Sequence, residues 1–320
     1  MGANTTSENA GDMADIEKVL ITGGCGFIGA NLVRYLRERS QWSLRVLDDL
    51  RAGKRTHLDD GMAELVVGDA SDGETARSAL QDVDAVIHLA AQTGVIPSIE
   101  DPERDFLGNA AATFSILESC RRMGVERLVF ASSGAALGDV EPPLHENLVP
   151  RPLSPYGAGK LAGEAYCCAY AGSFGMHTVA LRFANVYGPF SRHKPNAVPL
   201  FIARALGGEP LEIYGDGSQT RDFIYVEDLC EGIYRALTAE NAAGEVFQLG
   251  TGVETSVRRL ADTIHDALGG TEVVFKPARS GEVKRSRVDV SKARSMLSFE
   301  ASVQLREGVE RTAQWFRSSS

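Results

Sequence analysis

Short apolar runs alternate with segments of helical periodicity between Lys18 and Phe183. The run KVLIT precedes the amphipathic FIGANLVRYLRER, and LRVLD, AELVVGD, DAVIHLAA, RLVFASS and HTVALRF follow at intervals. Runs this apolar are typical of strands buried on both faces, because helices cover both sides of a parallel sheet. The pattern therefore predicts an α/β fold with a doubly wound parallel sheet, and long helices over about residues 102–123 and 155–173.

The pattern changes after Asn185, where turn signals such as YGP, GGEP and YGDGS become dense. We predict a first domain over residues 15–185 and mainly a smaller α/β lobe over residues 186–320. Segments near residues 225–250, among them the apolar EVFQLGT, are predicted to return to the first domain. Residues 1–14 are polar and lack the basic start and apolar core of a signal peptide, so we expect a disordered leader.

Composition excludes several classes of protein. The chain has 320 residues, 43% of them hydrophobic, and a formal net charge of −10, which argues against a nucleic-acid partner. No apolar run approaches the length of a membrane span. The five cysteines show no C-x-x-C spacing, which favours a reducing cytoplasm over a disulfide framework and predicts no metal site.

A glycine-rich stretch, ITGGCGFIG, joins the first predicted strand to the first predicted helix. Gly23, Gly26 and Gly29 allow a tight turn and the close approach of a pyrophosphate, and the helix that starts near Phe27 and Ile28 offers free N–H groups. The alternative is a plain strand-to-helix turn. The strand before the glycines and the helix after them favour nucleotide binding and a Rossmann-type sheet.

Asp48 ends the second strand, about twenty residues after the glycines. A carboxylate at this point accepts hydrogen bonds from both ribose hydroxyls and repels a 2′-phosphate, so it favours NAD over NADP. The nearby Arg51, Lys54 and Arg55 oppose that preference unless they lie in a solvated loop. Asp69, at the end of ELVVGD, is placed either to reach the adenine or to cap the following helix.

The segment SPYGAGK places Tyr156 and Lys160 four residues apart, on one face of a predicted helix. A tyrosine with its ordinary pKa near 10 is a poor base, and lowering that pKa to about 7 takes about 4 kcal/mol. A lysine ammonium and an oxidised nicotinamide nearby supply positive charge for this purpose. A surface Tyr/Lys pair is the alternative, and the glycine-rich turn upstream favours catalysis.

The motifs TGGCGFIG, HLAA, FASS, YGAGK, LRFANVYGP and YGDGSQTRDFIYVEDL together resemble the extended short-chain dehydrogenase/reductase family. The match is most similar to NAD-dependent nucleotide-sugar epimerases, dehydratases and decarboxylases. The resemblance implies Tyr156 as the catalytic base, Lys160 as the residue that binds the nicotinamide ribose, and Ser133 as the catalytic hydroxyl. Asn109 resembles the asparagine that supports the lysine. The residues expected to hold or line NAD are Gly23, Gly26, Phe27, Ile28, Gly29, Asp48, Asp69, Ala70, Leu89, Ala90, Ala91, Thr93, Asn109, Tyr156, Lys160 and Phe183.

Relatives that dehydrate or decarboxylate their sugars resemble one another in carrying a carboxylate directly after the strand that bears the serine. Here Gly134 and Ala135 occupy those positions, and neither can transfer a proton. The resemblance therefore implies 4-epimerisation, in which NAD is regenerated in each cycle. Leu137 replaces the tyrosine that is usual in the family.

The second lobe is expected to bind a UDP-sugar. By resemblance, Asn185, Arg221 and Arg279 contact the diphosphate, and Glu282 replaces the usual aspartate at the nucleotide ribose. The residues expected to contact the substrate are Ser132, Ser133, Tyr156, Asn185, Arg192, Val198, Leu200, Arg221, Arg279 and Glu282. Surface ion pairs are the alternative role for each arginine.

Arg192 lies in GPFSRHKPN, and a guanidinium fork suits a planar carboxylate. At this point the chain resembles UDP-glucuronate 4-epimerases, so UDP-glucuronate is the expected substrate and Arg192 its carboxylate clamp. The alternatives are a solvated basic loop and an epimerase of UDP-glucose or UDP-N-acetylglucosamine. A reductase, a dehydratase and a non-catalytic NAD-sensing protein are weaker alternatives. The family resemblance also implies a homodimer paired through a four-helix bundle.

Overall fold

The computed structural model describes residues 16–278 and 284–318. Its centre is a parallel sheet of seven strands in the order β3-β2-β1-β4-β5-β6-β11. These strands are β1 (Lys18–Thr22), β2 (Ser43–Asp48), β3 (Glu64–Val67), β4 (Ala85–His88), β5 (Arg127–Ser133), β6 (His177–Phe183) and β11 (Val246–Leu249). The predicted α/β fold with a doubly wound parallel sheet is confirmed. The predicted leader, residues 1–14, lies outside the described residues.

Helices cover both faces of the sheet: α1 (Phe27–Arg39), α2 (Gly73–Ala79), α3 (Val95–Glu100), α4 (Pro102–Phe106), α5 (Ala112–Met123), α6 (Pro155–Phe174) and α8 (Val226–Thr238). Successive side chains of a strand point to opposite faces. Val19 and Ile21 of β1 accordingly pack in the layer with α1 and α8, and Leu20 packs in the layer with α2, α5 and α6. This two-sided burial explains why the strands read as continuous apolar runs.

Two of these helices carry the residues that matter most for function. The long helix predicted near residues 102–123 is divided, because a π-helical turn, Leu107–Ala111, separates α4 from α5. α6 begins where the Ser154 hydroxyl accepts a hydrogen bond from the Gly157 N–H (3.1 Å), with Pro155 in the first turn. It ends at Gly175, whose φ of 70° is the left-handed conformation that glycine adopts readily.

The remaining elements are β7 (Asn185–Tyr187), α7 (Ala197–Leu206), β8 (Leu211–Tyr214), β9 (Thr220–Arg221), β10 (Phe223–Tyr225), β12 (Thr255–Ser256), α9 (Val257–Leu268), β13 (Val273–Lys276), α10 (Ser291–Leu297) and α11 (Leu305–Ser318). α7, α9 and α11 enclose a separate apolar core with β8 and β10. Between these segments the chain rejoins the central sheet, where β11 pairs with β6. The site described next lies at the carboxyl ends of β1, β2, β4, β5 and β6.

Candidate active site

The glycine-rich turn lies between β1 and α1. Gly23 has a φ of 71°, and a Cβ atom there would lie 2.8 Å from the Ala90 backbone nitrogen. A Cβ at Gly29 would collide with the Gly23 carbonyl oxygen. Gly26 precedes α1 and gives it no side-chain cap, which leaves the first N–H groups of the helix available to an anion. Backbone and helix terminus therefore fit the diphosphate of a dinucleotide.

Asp48 is held beside this turn. Its carboxylate accepts hydrogen bonds from the backbone N–H groups of Cys25 (2.9 Å) and Leu50 (2.8 Å). A carboxylate has about four lone-pair positions, so two bonds leave room for ribose hydroxyls. The Arg51 guanidinium forms ion pairs with Asp49 (3.3 Å) and Asp69 (3.1 Å), which reduces its attraction for a 2′-phosphate.

Asp69 does not cap the helix that follows it. Asp72 does so, since its carboxylate accepts hydrogen bonds from the N–H groups of Glu74 (3.4 Å) and Thr75 (3.0 Å). Asp69 instead accepts from the Ser71 N–H (2.9 Å) and hydroxyl (2.7 Å). These hydrogen bonds and the ion pair with Arg51 lower the pKa of Asp69 against the opposing effect of burial.

Tyr156 and Ser133 meet at the carboxyl end of β5. Burial raises the pKa of the Tyr156 phenol, and its hydrogen bond with Ser133 lowers it. The Ser133 hydroxyl also accepts a hydrogen bond from the Ala135 N–H (3.2 Å), in the 3₁₀ turn Gly134–Ala136. Tyr156 is thus not yet a base in the protein alone, and further positive charge near the phenol is required to lower its pKa.

Lys160 is buried one helical turn from Tyr156. Its Nζ donates to the Ala131 carbonyl oxygen (2.8 Å) and lies 5.8 Å from the centre of the Tyr156 ring. Burial lowers the pKa of Lys160 to about 8, while the negative charges of Asp105 and Glu164 raise it. The ammonium form therefore prevails at neutral pH, and it is lost as the pH rises through about 8.

Asn109 and Asp105 lie against the same part of α6. The Asn109 amide nitrogen donates to the Gln92 carbonyl oxygen (2.9 Å) and to Asp105 Oδ1 (2.8 Å). The amide oxygen of Asn109 is buried and has no hydrogen-bond partner among the described residues, and its support of Lys160 stays a prediction. Asp105 is 1% exposed, and its charge acts on both Lys160 and Tyr156.

Ser132 does not face the Tyr156 group, so its hydroxyl is not placed to contact a substrate there. Ser132 is 3% exposed, and its hydroxyl donates to Glu164 rather than into the cleft. Arg182 forms two hydrogen bonds with the same carboxylate, at 2.8 and 2.6 Å. The physical reason is strand alternation, because Ser132 and Ser133 point to opposite faces of β5.

Other residues predicted to line NAD surround the carboxyl ends of the strands. Leu89, Ala90 and Ala91 follow β4, and the Ala90 N–H donates to the Thr22 hydroxyl (3.1 Å). Thr93 is exposed, and its hydroxyl lies 3.4 Å from Lys194 Nζ. Two further members of the predicted set are Ala70, which is buried, and Phe183, which ends β6.

Other residues predicted to contact the substrate lie in several elements beyond β6 and differ in exposure. Asn185 starts β7 and donates to the Asp222 carbonyl oxygen. Arg221 lies in β9, with one donor on the Thr220 carbonyl oxygen (2.7 Å). Val198 is buried in the core of the second lobe, so its side chain does not frame a ligand, whereas Leu200 is 38% exposed. Arg279 and Glu282 lie outside the described residues.

Arg192 does not join the Tyr156 group. Its guanidinium donates to the Phe316 carbonyl oxygen (3.2 Å) and lies 5.8 Å from the centre of the Phe316 ring. Both contacts are at the carboxyl end of α11, where a cation complements the helix dipole. These contacts place the Arg192 guanidinium at α11, and its role as a carboxylate clamp stays a prediction.

Three residues near the site were not found by sequence reasoning: Asp105, Glu164 and Lys194. Asp105 lies four residues before Asn109, and Glu164 lies four residues after Lys160, so helical spacing was an available signal for both. The approach of Lys194 to Thr93 had no such signal, because the two residues are 101 positions apart.

Residues 16–278 and 284–318 contain no cluster of histidine, cysteine, aspartate and glutamate suited to a metal ion. Within the same ranges, no helix combines the length and apolar character that crossing a membrane requires.

Comparison with known proteins gives a consistent result. Residues 19–250 match the model of the NAD-dependent epimerase/dehydratase family. A putative UDP-glucose 4-epimerase of Methanocaldococcus jannaschii is 38% identical over 94% of this chain and 99% of its own length.

Two solved structures superpose on nearly the whole chain. UDP-glucose 4-epimerase of Thermotoga maritima, crystallised with UDP-glucose, is 35% identical with a TM-score of 0.89, over 94% of this chain and 99% of its own. UDP-glucuronic acid 4-epimerase of Bacillus cereus, in complex with UDP-glucuronic acid and NAD, is 30% identical with a TM-score of 0.86, over 95% and 100%.

Proposed function

The chain belongs to the NAD-dependent epimerase/dehydratase family, and we propose that it catalyses the 4-epimerisation of a UDP-sugar. The observation that carries the proposal is the meeting of Tyr156, Ser133 and Lys160 at the carboxyl ends of the strands, beside a turn that fits a dinucleotide diphosphate. Relatives named as 4-epimerases cover nearly the whole chain and support the same activity.

In this reaction Tyr156 accepts the proton of the sugar 4-hydroxyl and later returns it. NAD, held by the glycine-rich turn and Asp48, would supply the reversible hydride acceptor for C4. Ser133 donates a hydrogen bond to the developing oxyanion at C4, because its hydroxyl already lies within hydrogen-bonding reach of the phenol. Lys160 contributes the positive charge that favours the phenolate, and burial strengthens this effect.

The residues after Ser133 restrict the chemistry to this exchange. Gly134 and Ala135 form a 3₁₀ turn directly beyond the strand, and neither carries an acid or base. A dehydratase needs a second group that moves a proton at the neighbouring carbon or at the leaving hydroxyl. Epimerisation at C4 needs one group alone, which Tyr156 provides.

For the sugar, we propose UDP-glucuronate first and UDP-glucose or UDP-N-acetylglucosamine as alternatives. The Bacillus cereus neighbour binds UDP-glucuronic acid, and the Thermotoga maritima neighbour binds UDP-glucose. The contacts of Arg192 with α11 remove one argument for the uronate. Lys194, a second cation of the same loop, is a further candidate partner for a carboxylate of the ligand.

The test is incubation of the protein with each of the three UDP-sugars, with products followed by proton NMR. We expect the C4 epimer to form without a net change in NADH absorbance. The Tyr156→Phe variant is expected to lose at least about a hundredfold in kcat, because it lacks the proton acceptor. A keto product, lasting NADH accumulation or CO₂ release in place of the epimer would contradict the proposal.

We also propose that the protein is a homodimer. α5 and α6 present apolar side chains to solvent, and the Phe114 and Tyr166 rings lie together with centroids 5.4 Å apart. Further exposed apolar residues on α3 and the adjoining helical turns are Val95, Ile96, Ile99, Phe106 and Leu107. Pairing α5 and α6 with their copies would cover this surface in a four-helix bundle.

A further inference from the structure

The loop after β7, residues 188–194, is fixed to the first domain. The Asn31 side chain donates to the Pro189 carbonyl oxygen (3.0 Å). The Phe190 ring packs against Trp315 and His57, with centroid distances of 4.6 and 5.0 Å. Phe190 has a φ of 64°, a backbone conformation that is costly for a residue with a bulky side chain. These contacts hold the loop at the mouth of the cleft.

Lys194 projects from this loop across the carboxyl edge of the sheet. Its N–H donates to the Ser191 carbonyl oxygen (2.8 Å), which fixes the turn, and its Nζ lies 3.4 Å from the Thr93 hydroxyl. Thr93 follows β4, and the adjacent Gln92 is hydrogen-bonded to Asn109. The ammonium therefore lies beside the segment that follows β4, which is predicted to line NAD.

The charge of Lys194 has no counterion within residues 16–278 and 284–318. None of the ion pairs in these ranges includes it, and Thr93 offers a neutral oxygen at the long end of hydrogen-bonding distance. Burial lowers the pKa of Lys194, and no neighbouring carboxylate in these ranges opposes that effect. A partly buried ammonium without a paired anion is costly, so it marks a place where a ligand's anion is stabilised.

Other cations gather at the same point. Burial lowers the pKa of His193, and the nearby positive charges of Lys194 and Lys54 lower it further. The Lys54 backbone N–H (3.2 Å) and the His57 ring Nδ1 (2.8 Å) both donate to the Cys25 carbonyl oxygen, in the glycine-rich turn. The charges of Lys54 and Lys194 therefore both act on this loop, and His57 links the loop to the turn that fits a diphosphate through Phe190 and the Cys25 carbonyl oxygen.

We propose that Lys194 binds an anionic oxygen of the ligand, on a phosphate or a carboxylate, at the mouth of the cleft between Thr93 and the glycine-rich turn. The inference rests on the proposed function for the identity of its ligands. Three sources carry such oxygens: the diphosphate of NAD, the diphosphate of the UDP-sugar and the carboxylate of a uronate.

The experiment is titration calorimetry on the full chain and on Lys194→Met. Each protein is titrated with NAD and, when saturated with NAD, with UDP, UDP-glucose and UDP-glucuronate. We expect at least one dissociation constant to rise about tenfold or more, the usual size of a lost charge-assisted hydrogen bond. If only the dissociation constant for NAD rises, Lys194 binds the diphosphate of NAD. If the constants for all three uridine ligands rise, Lys194 binds their diphosphate. If only the constant for UDP-glucuronate rises, Lys194 binds the carboxylate.

Two control variants complete the design. Lys194→Arg retains the charge and is expected to bind within about threefold of the unaltered protein. Lys18→Met removes a lysine from the amino end of β1, the opposite edge of the sheet, and is expected to change nothing. Thermal unfolding verifies folding, and Lys194→Gln replaces the methionine variant if that variant is unstable. All four dissociation constants of the variant within twofold of the original values would overturn the assignment to Lys194.

Binding and turnover separate the two proposals. If Lys194→Met weakens ligand binding but the unaltered protein epimerises none of the three sugars, the anion site stands and the proposed function fails. If the sugars are epimerised and Lys194→Met binds every ligand normally, the proposed function stands and the anion site fails.

Discussion

The buried charge of Asp105 acts on both Tyr156 and Lys160. The Oδ1 atom of Asp105 accepts from Asn109, while its Oδ2 atom has no hydrogen-bond partner among the described groups. Its negative charge raises the pKa of both Tyr156 and Lys160. It is therefore a positioning residue, which tunes the pair through charge and orients Asn109.

Replacing Asp105 with asparagine removes that charge and is expected to lower the pKa of both residues. Activity needs Tyr156 able to lose its proton and Lys160 able to keep its proton, so both limbs of the kcat–pH profile should move to lower pH. The measurement is kcat from pH 5 to about 10. Glu103→Gln, at an exposed position of the same helix, is the control, and a folded Asp105→Asn protein with an unchanged profile would remove Asp105 from this role.

At the scale of the element, two glycines of α6, Gly159 and Gly163, allow the helix to pack closely against its neighbours. A Cβ atom at Gly163 would collide with the Phe130 ring, and one at Gly159 would lie 3.0 Å from the Asn109 Cβ. The missing side chains let α6 lie close to β5, so that Lys160 can reach the Ala131 carbonyl oxygen. Close packing is thus a condition for the geometry of the catalytic pair.

Gly163→Ala is therefore expected to lower kcat and the melting temperature together, despite the better helix propensity of alanine. Gly172→Ala, on the same helix with open space around it, should raise the melting temperature, since the substitution favours the helix by about 1 kcal/mol. Thermal denaturation and steady-state kinetics on the two variants test this contrast. If both variants had the same kcat and melting temperature, α6 would accommodate the added Cβ at Gly163 without loss of activity or stability.

Local patterns predicted most of the elements, and tertiary contacts account for what they missed. Apolar runs and glycine spacing located β1, α1 and α6, because strand alternation and helical periodicity depend on neighbouring residues. The π-helical turn between α4 and α5 left no mark in that periodicity. The partners of Arg192 and Lys194 come from α11 and from the segment after β4, so their contacts depend on packing between distant parts of the chain.

At the scale of the whole molecule, the exposed face of α5 and α6 is the feature to test. Phe114→Glu is expected to convert the proposed dimer to a monomer, because the charge would be buried at the centre of the helix pairing. Light scattering after size-exclusion chromatography measures the mass directly. Val253→Glu, at an exposed apolar position outside these helices, is the control and should leave the mass unchanged. A monomeric mass for the unaltered protein would rule out the dimer.

The pairing of β11 with β6 means that the first domain is not contiguous in the sequence and does not end at residue 185. A fragment that stops at residue 185 would lack both β11 and α8, although it contains the glycine-rich turn, Tyr156 and Lys160. β6 would then be an unpaired edge, and the apolar layer that includes Val179 and Leu181 would lose the covering side chains of α8, such as Ile233. Such a fragment is expected to aggregate instead of binding NAD, so the two halves have to be made as one polypeptide.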